Sequence, residues 1–170
     1  MSFKITNVFL SDARMILDYG YFGDVVSLDT TYCTNHNNRP LAFFFLSCFN
    51  HYRGSIIFGA ALMYDETIKS FKWLFDTFLQ AHNNKKSKTI FTDQDQAMAT
   101  ALEKVMPETH HGLCTWHLLQ NGVKHLGNLM KGGTFLLRDI QKCMYDIGNE
   151  SEFEKLWFDL INKYNIRDKT

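Results

Sequence analysis

Net charge is the first thing missing: eighteen Lys and Arg offset eighteen Asp and Glu in 170 residues. No strongly basic field marks the chain as a nucleic-acid binder, so such contact needs local patches. Proline is scarce, at two residues, and no Ser/Gly-rich or repetitive tract interrupts the chain. With 45% hydrophobic and 15% aromatic residues, this excludes a disordered segment and supplies a core for about one domain. No apolar run approaches the roughly 20 residues a membrane helix needs. The opening Met1–Leu10 is too short and too mixed to read as a secretory signal. Cys33, Cys48, Cys114 and Cys143 are scattered singly, the pattern of reduced thiols and not of a disulfide framework.

What is present is organised around Val25-Val26-Ser27-Leu28-Asp29. Its β-branched and apolar residues make a strand, and it ends in one carboxylate. Far downstream, Thr89-Ile90-Phe91-Thr92 repeats the pattern and ends in Asp93. An acid at the tip of an apolar strand is costly unless it meets water, a cation or a donor. Two such tips in one small domain point to a divalent-metal site; the plainer alternative is that both aspartates cap loops.

Residues 1–21 read as a lead-in, with Ser11-Asp12 capping a short helix through Arg14, Ile16 and Leu17. Thr34–Pro40 is a polar loop. Leu41–Phe49 is a continuous apolar run, as in a strand covered on both faces. A turn at His51–Gly54 joins it to Ser55–Met63 as a hairpin. From Asp65-Glu66-Thr67 a helix carries Ile68, Phe71, Leu74, Phe75, Phe78 and Leu79 at helical spacing, with Trp73 beside them, a pattern most simply read as core. A second helix from about Gln94 places Met98, Ala101, Leu102 and Val105 on one face and stops at Pro107. His110–Thr115 reads as a short fifth strand. Helices follow at Trp116–Met130, broken by Gly132-Gly133, then at Phe135–Ile147 and Ser151–Tyr164. Ser151 with Glu154 matches a capping box. Three strands, then alternating helices and strands, give a mixed five-stranded α/β sheet with a helical C-terminal part, the order of a ribonuclease-H-like fold.

Such a fold gathers acids from the first strand, the end of the fourth strand and a late helix. Asp29 and Asp93 fill the first two places; Glu154, or alternatively Glu152, fills the third. Three acids can hold two Mg²⁺ ions about 4 Å apart for phosphoryl transfer. Asp95, read as one helical turn further on, points elsewhere. Cys114 and His117 form a Cys-x-x-His pair, two of the four ligands that structural zinc needs, and no second pair completes them. Lys85-Lys86-Ser87-Lys88 reads either as a solvated loop or as a phosphate contact.

The runs FGDVVSLDTTYCTN, RPLAFFF, GSIIFGAALMYDETIKSFKWLFDTFL, KTIFTDQDQAMATAL and MPETHHGLCTWHLLQN resemble the transposase core of Mutator-like elements. They resemble more closely the plant far-red-impaired-response (FAR1-related) family of transposase-derived transcription regulators. The likeness covers roughly Phe22 to Tyr164 and identifies residues 22–170 as a MULE transposase-like domain. It implies an acidic triad at Asp29 in DTTY, Asp93 in TDQD and Glu154 in the last helix, and a Cys-x-x-His element at Cys114 and His117. It also implies a nuclear protein in light-responsive gene regulation that dimerises with itself or with relatives. DNA would be reached through an amino-terminal zinc finger and a later SWIM finger, neither of which this sequence contains; it reads as a fragment, a truncated copy or a short paralogue. Two functions follow from the resemblance: a non-catalytic module working through partners, or an active DDE transposase core using Mg²⁺ or Mn²⁺. A remnant with no present role is the third reading. No zinc is expected within this segment.

Overall fold

The computed structural model describes residues 6–34, 40–130 and 135–166. The central residues of the polar loop, 35–39, and the Gly132-Gly133 break lie outside the described residues. The chain divides into two compact units, Met1–Cys114 and Thr115–Thr170.

The first unit is built on a six-stranded sheet. Its strands are β1 (Asn7–Leu10), β2 (Val25–Thr34), β3 (Pro40–Phe49), β4 (Ser55–Met63), β5 (Thr89–Thr92) and β6 (His110–Leu113). Their spatial order is β1-β4-β3-β2-β5-β6. The β1–β4, β4–β3 and β3–β2 pairs are antiparallel, and β2–β5 and β5–β6 are parallel. Hairpins explain the first set, since a tight turn reverses the chain; helical crossovers explain the second. This arrangement is the ribonuclease-H-like α/β fold expected from the sequence, with one strand more. The sixth strand comes from the stretch read as a lead-in: Asn7–Leu10 pairs along the β4 edge, Asn7 opposite Met63. The first core strand also runs five residues past Asp29, to Thr34.

Helices α1 (Ala13–Phe22), α2 (Ile68–Ala81) and α3 (Gln96–Val105) complete the unit. Asp12 caps α1 by accepting from the Met15 amide at 2.8 Å, while Ser11 turns its hydroxyl to the Phe58 carbonyl at 3.0 Å. Thr67 caps α2, accepting from the Ser70 amide. The apolar stripe of α2 does what its spacing predicts: Phe71, Leu74, Phe75 and Phe78 are fully buried against Val26, Leu28, Leu46, Phe58 and Ile90 of the sheet. At about 25 cal/mol per Å² of apolar surface, each large side chain so buried contributes roughly 1.5–3 kcal/mol. Tyr19 of α1 enters the same core, its ring edge-on to Phe58 and Phe78.

The second unit holds α4 (Thr115–Met130), α5 (Leu136–Tyr145) and α6 (Glu150–Tyr164). Leu136, Ile140 and Cys143 of α5 and Leu160 of α6 form its core. Asp139 joins α5 to α6 by accepting from Lys163 Nζ and from the Tyr164 hydroxyl, both at 2.7 Å. The cap of α6 lies two residues before the expected one. Asn149, not Ser151, accepts from the backbone amide three residues on, that of Glu152, at 2.9 Å. Glu152 therefore occupies the capping-box position, and Glu154 lies beyond it. Among the described residues, Cys48, Cys114 and Cys143 carry free thiols, and no helix is long and apolar enough to cross a membrane.

Candidate functional site

Strands β2 and β5 run side by side with Val26 opposite Ile90 and Ser27 opposite Phe91. The pairing ends there; Asp29 lies two residues further along β2, and Asp93 is the first residue after β5. Side chains alternate across a strand. Val26, Leu28, Ile90 and Thr92 point into the core and are at most 1% exposed. Asp29 therefore lies on the opposite face of β2, and Asp93 stands in the turn between β5 and α3. Of the two acids expected at strand tips, Asp93 directly follows β5, whereas Asp29 lies in mid-strand, because β2 continues to Thr34.

The turn after β5 is held by its own side chains. Asp93 Oδ1 accepts from the Asp95 amide at 3.3 Å. Asp95 is the N-cap of α3, accepting from the Met98 amide at 2.6 Å. It precedes the helix, where the sequence reading had it one turn inside, and its carboxylate serves the cap. The Thr92 hydroxyl donates to the Asp93 carbonyl at 2.8 Å and stands 2.7 Å from His111 Nε2 on β6. The Cys114 amide donates to the Thr92 carbonyl. These contacts fix the backbone on both sides of Asp93.

A third carboxyl at this end of the sheet was missed from sequence. Strands β2, β4 and β5 all run in the same direction, so their trailing ends collect on one edge. Glu66 follows β4 as Asp93 follows β5, whereas Asp29 lies in mid-β2 opposite Phe45. It is half-buried, and burial first, then the charges of Asp95 and Asp93, push its carboxyl above the ordinary glutamate range. The signal lay in strand direction; the sequence reading absorbed Glu66 into the start of a helix. Its neighbour Asp65 makes the local contacts there, accepting from the Thr67 amide and from the Thr67 and Ser70 hydroxyls.

Glu152 and Glu154 both lie exposed on α6 of the second unit. Among the described residues, no three His, Cys, Asp or Glu side chains are grouped to hold a metal ion. The Cys-x-x-His pair divides between the units: Cys114 ends the first, and His117 stands in the first turn of α4. The basic segment before β5 is engaged within the protein. Lys85 and Lys88 both reach Asp24, at 3.3 and 2.7 Å, and Lys86 reaches Glu108 at 3.3 Å.

Comparison with known proteins agrees with this architecture. The MULE transposase domain family matches residues 25–121, more than half of the chain. Three Arabidopsis thaliana proteins align along nearly all of it. Protein FAR1-RELATED SEQUENCE 5 is 36% identical over 97% of this chain and 21% of its own length. Protein FAR1-RELATED SEQUENCE 4 is 35% identical over 96% and 22%. Protein FAR-RED IMPAIRED RESPONSE 1 is 32% identical over 97% and 20%. The chain thus spans about a fifth of these relatives. A simian T-cell lymphotropic virus intasome chain aligns over 81% of this chain and 46% of its own at 14% identity and a TM-score of 0.36, a likeness too slight to carry weight. With its sheet order and this match in hand, the chain belongs to the MULE transposase domain family and is similar to FAR1-related proteins throughout.

Proposed function

We propose that this chain is the transposase-derived core of a FAR1-related transcription regulator, acting in the nucleus on light-responsive genes through protein or DNA partners and not through catalysis. The observation that carries this reading is the unbroken likeness to FAR1-related proteins, 32–36% identical across both units. Of the other acids near Asp93, Asp95 is engaged as the α3 cap, and burial with the charges of Asp95 and Asp93 raises the Glu66 pKa. A fold that once positioned chemistry then serves as a rigid body for association, with itself or with full-length relatives.

The test is capture. The tagged chain is expressed in plant nuclei with full-length FAR1-related proteins, and complexes are isolated under light and dark. Recovery of a relative, and nuclear accumulation of the chain, support the reading. Failure to retain any relative, under conditions in which the relatives retain each other, overturns it.

One observation favours a second reading, an active DDE-type core: Asp29 and Asp93 belong to adjacent parallel strands, Asp29 within β2 and Asp93 directly after β5. In that case millimolar Mn²⁺ or Mg²⁺ raises the melting temperature of the wild type and not that of Asp29→Asn. A flat titration removes this reading.

A further inference from the structure

The second unit carries a surface that its own core does not use. Between α4, the end of α5 and the start of α6 lies an open groove of about 450 Å³. Leu118, Met144, Ile147 and Phe153 line it, together with Glu150. Met144 and Ile147 pack on the core of this unit, so the floor of the groove is apolar and supported from beneath. Phe153 and Trp157 stand about one turn apart on α6 and stack, with ring centroids 6.0 Å apart and planes inclined by 11°. They nonetheless remain 40% and 41% exposed. Large rings dominate the energetics of association, and two that already order each other lose little further freedom when a partner covers them.

Charge says what fits there. Residues 144–160 hold five acids, Asp146, Glu150, Glu152, Glu154 and Asp159, against Lys155 alone, in a chain whose charges balance overall. All five are exposed, and among the described residues none is engaged in an ion pair. At about 100° per residue, Glu150 and Glu154 fall within roughly 60° of Trp157 around α6. Lys155 and Lys163, the two lysines of the helix, fall about 160° and 120° away. Asp146 caps the C-terminus of α5, next to Ile147 of the groove. The side of α6 that bears the aromatic pair is therefore apolar and acidic. Such a face repels nucleic acid and acidic lipid headgroups. A second copy laid face to face about a two-fold axis would set these glutamates against themselves. A helix with an apolar stripe flanked by Lys or Arg satisfies both features. One turn of it rises about 5.4 Å, and the four residues from Phe153 to Trp157 rise about 6 Å, so anchors one turn apart meet successive rings.

We propose that this groove of the second unit is a docking site for a basic amphipathic helix of a protein partner. Phe153 and Trp157 take the apolar stripe of that helix, and Asp146, Glu150 and Glu154 face its lysines or arginines. The proposal rests on the reading that this domain works through partners, and it gives one of them its chemistry. Its test uses peptides, so its outcome is separate from the capture of full-length relatives.

The full chain is titrated by fluorescence anisotropy against a labelled helical peptide of about 18 residues, or five turns. The peptide carries leucines at helical spacing on one face and lysines on the flanks. A second peptide has glutamate in place of every lysine. The wild type binds the lysine peptide about tenfold tighter or more, and the difference narrows between about 50 and 300 mM salt. Trp157→Ala weakens the lysine peptide about tenfold or more, and far-UV dichroism checks that this variant keeps its helices. Glu154→Lys, a change at an exposed position, weakens the lysine peptide about fivefold and strengthens the glutamate peptide. Asp159→Lys, the same reversal on the far side of α6, changes neither. That crossover is what an unspecific apolar or acidic surface does not give. Equal binding of the two peptides overturns the proposal, as does no binding at about 100 µM peptide. Equal effects of Glu154→Lys and Asp159→Lys overturn it too. So does sedimentation in which the wild type self-associates and Trp157→Ala does not, which assigns the groove to a second copy.

Discussion

The Thr92 hydroxyl stands 2.7 Å from His111 Nε2 and gives its own proton to the carbonyl of Asp93. A hydroxyl that donates in one direction must accept in the other, so His111 presents Nε2–H to Thr92. The imidazole of an edge strand thereby braces the residue before a strand-tip acid. Thr92 is fully buried. Thr92→Val keeps the shape, removes the acceptor and leaves a donor without its partner, at a cost of about 1–3 kcal/mol. Urea denaturation of wild type and variant measures it. A midpoint within error of the wild type means that the contact carries no weight.

His82 and His111 set the acid side of the stability curve. Each ring nitrogen of His82 faces a backbone carbonyl, Phe78 at 2.8 Å and Phe58 at 3.1 Å, which favours the charged ring. Burial outweighs both and holds its pKa below the ordinary 6.5. His111 is lowered by burial and then by His110. With folded pKa values below the unfolded ones, the unfolded chain takes up protons first. Stability is therefore full above about pH 6.5 and falls as pH drops through that value toward the folded pKa values. The carboxyls of Asp65 and Asp139, lowered chiefly by the Ser70 hydroxyl and by Lys163 respectively, lose their contribution in a further window below 3.8. Melting temperatures from pH 8 to 3 should decline in two steps, and His82→Asn should flatten the first.

Gly23 ends α1 beneath the Tyr19 ring. A Cβ there would lie 2.3 Å from Tyr19 Cδ2 and 2.5 Å from the Tyr19 carbonyl oxygen. The ring cannot yield: it is 1% exposed, and its hydroxyl donates to the Lys85 carbonyl at 3.0 Å and contacts Ser87 Oγ at 2.8 Å. Gly23→Ala should therefore cost about 2–3 kcal/mol, at the upper end of overpacking penalties. Gly122→Ala, where nothing lies within 4 Å of the new carbon, should be neutral or stabilising by comparison in the same melt.

The core strands and α2 were legible because each is an apolar run bounded by turn residues, and because strands that alternate with helices imply parallel pairing. The parallel pairing of the strands that carry and precede Asp29 and Asp93 followed from that inference. What escaped was local. Asn7–Leu10 is four residues of edge strand, exposed at Val8 and Leu10, and its apolar run is only three residues, Val8–Leu10. At α6, both Asn149 and Ser151 are good caps with a glutamate three residues on, so spacing alone cannot choose; the hydrogen bond chooses Asn149. Asn149→Ala should then destabilise by about 1 kcal/mol while Ser151→Ala leaves the melt unchanged. The reverse order would restore the cap to the later residue.

Glu66 offers the sharpest test of what the trailing strand ends now do. Its carboxyl is raised by burial, then by Asp95 and Asp93. A raised acid favours folding only while protonated, so it weakens the fold as pH rises through and above its unfolded value of 4.5. Glu66→Gln removes that charge. In metal-free buffer at pH 7 it should raise the melting temperature by about 1–2 °C, equivalent to roughly 0.5 kcal/mol once its partial exposure is allowed for. The gain should vanish at pH 4. Millimolar Mn²⁺ decides between the readings. If the acids are relics, the variant stays ahead of the wild type with or without the ion. If they still gather a cation, the wild type gains from Mn²⁺ what the glutamine cannot, and the order of the two melting temperatures inverts. The inversion would establish a working site on a carboxyl that the sequence assigns to a helix start; its absence would leave the sheet edge as scaffold.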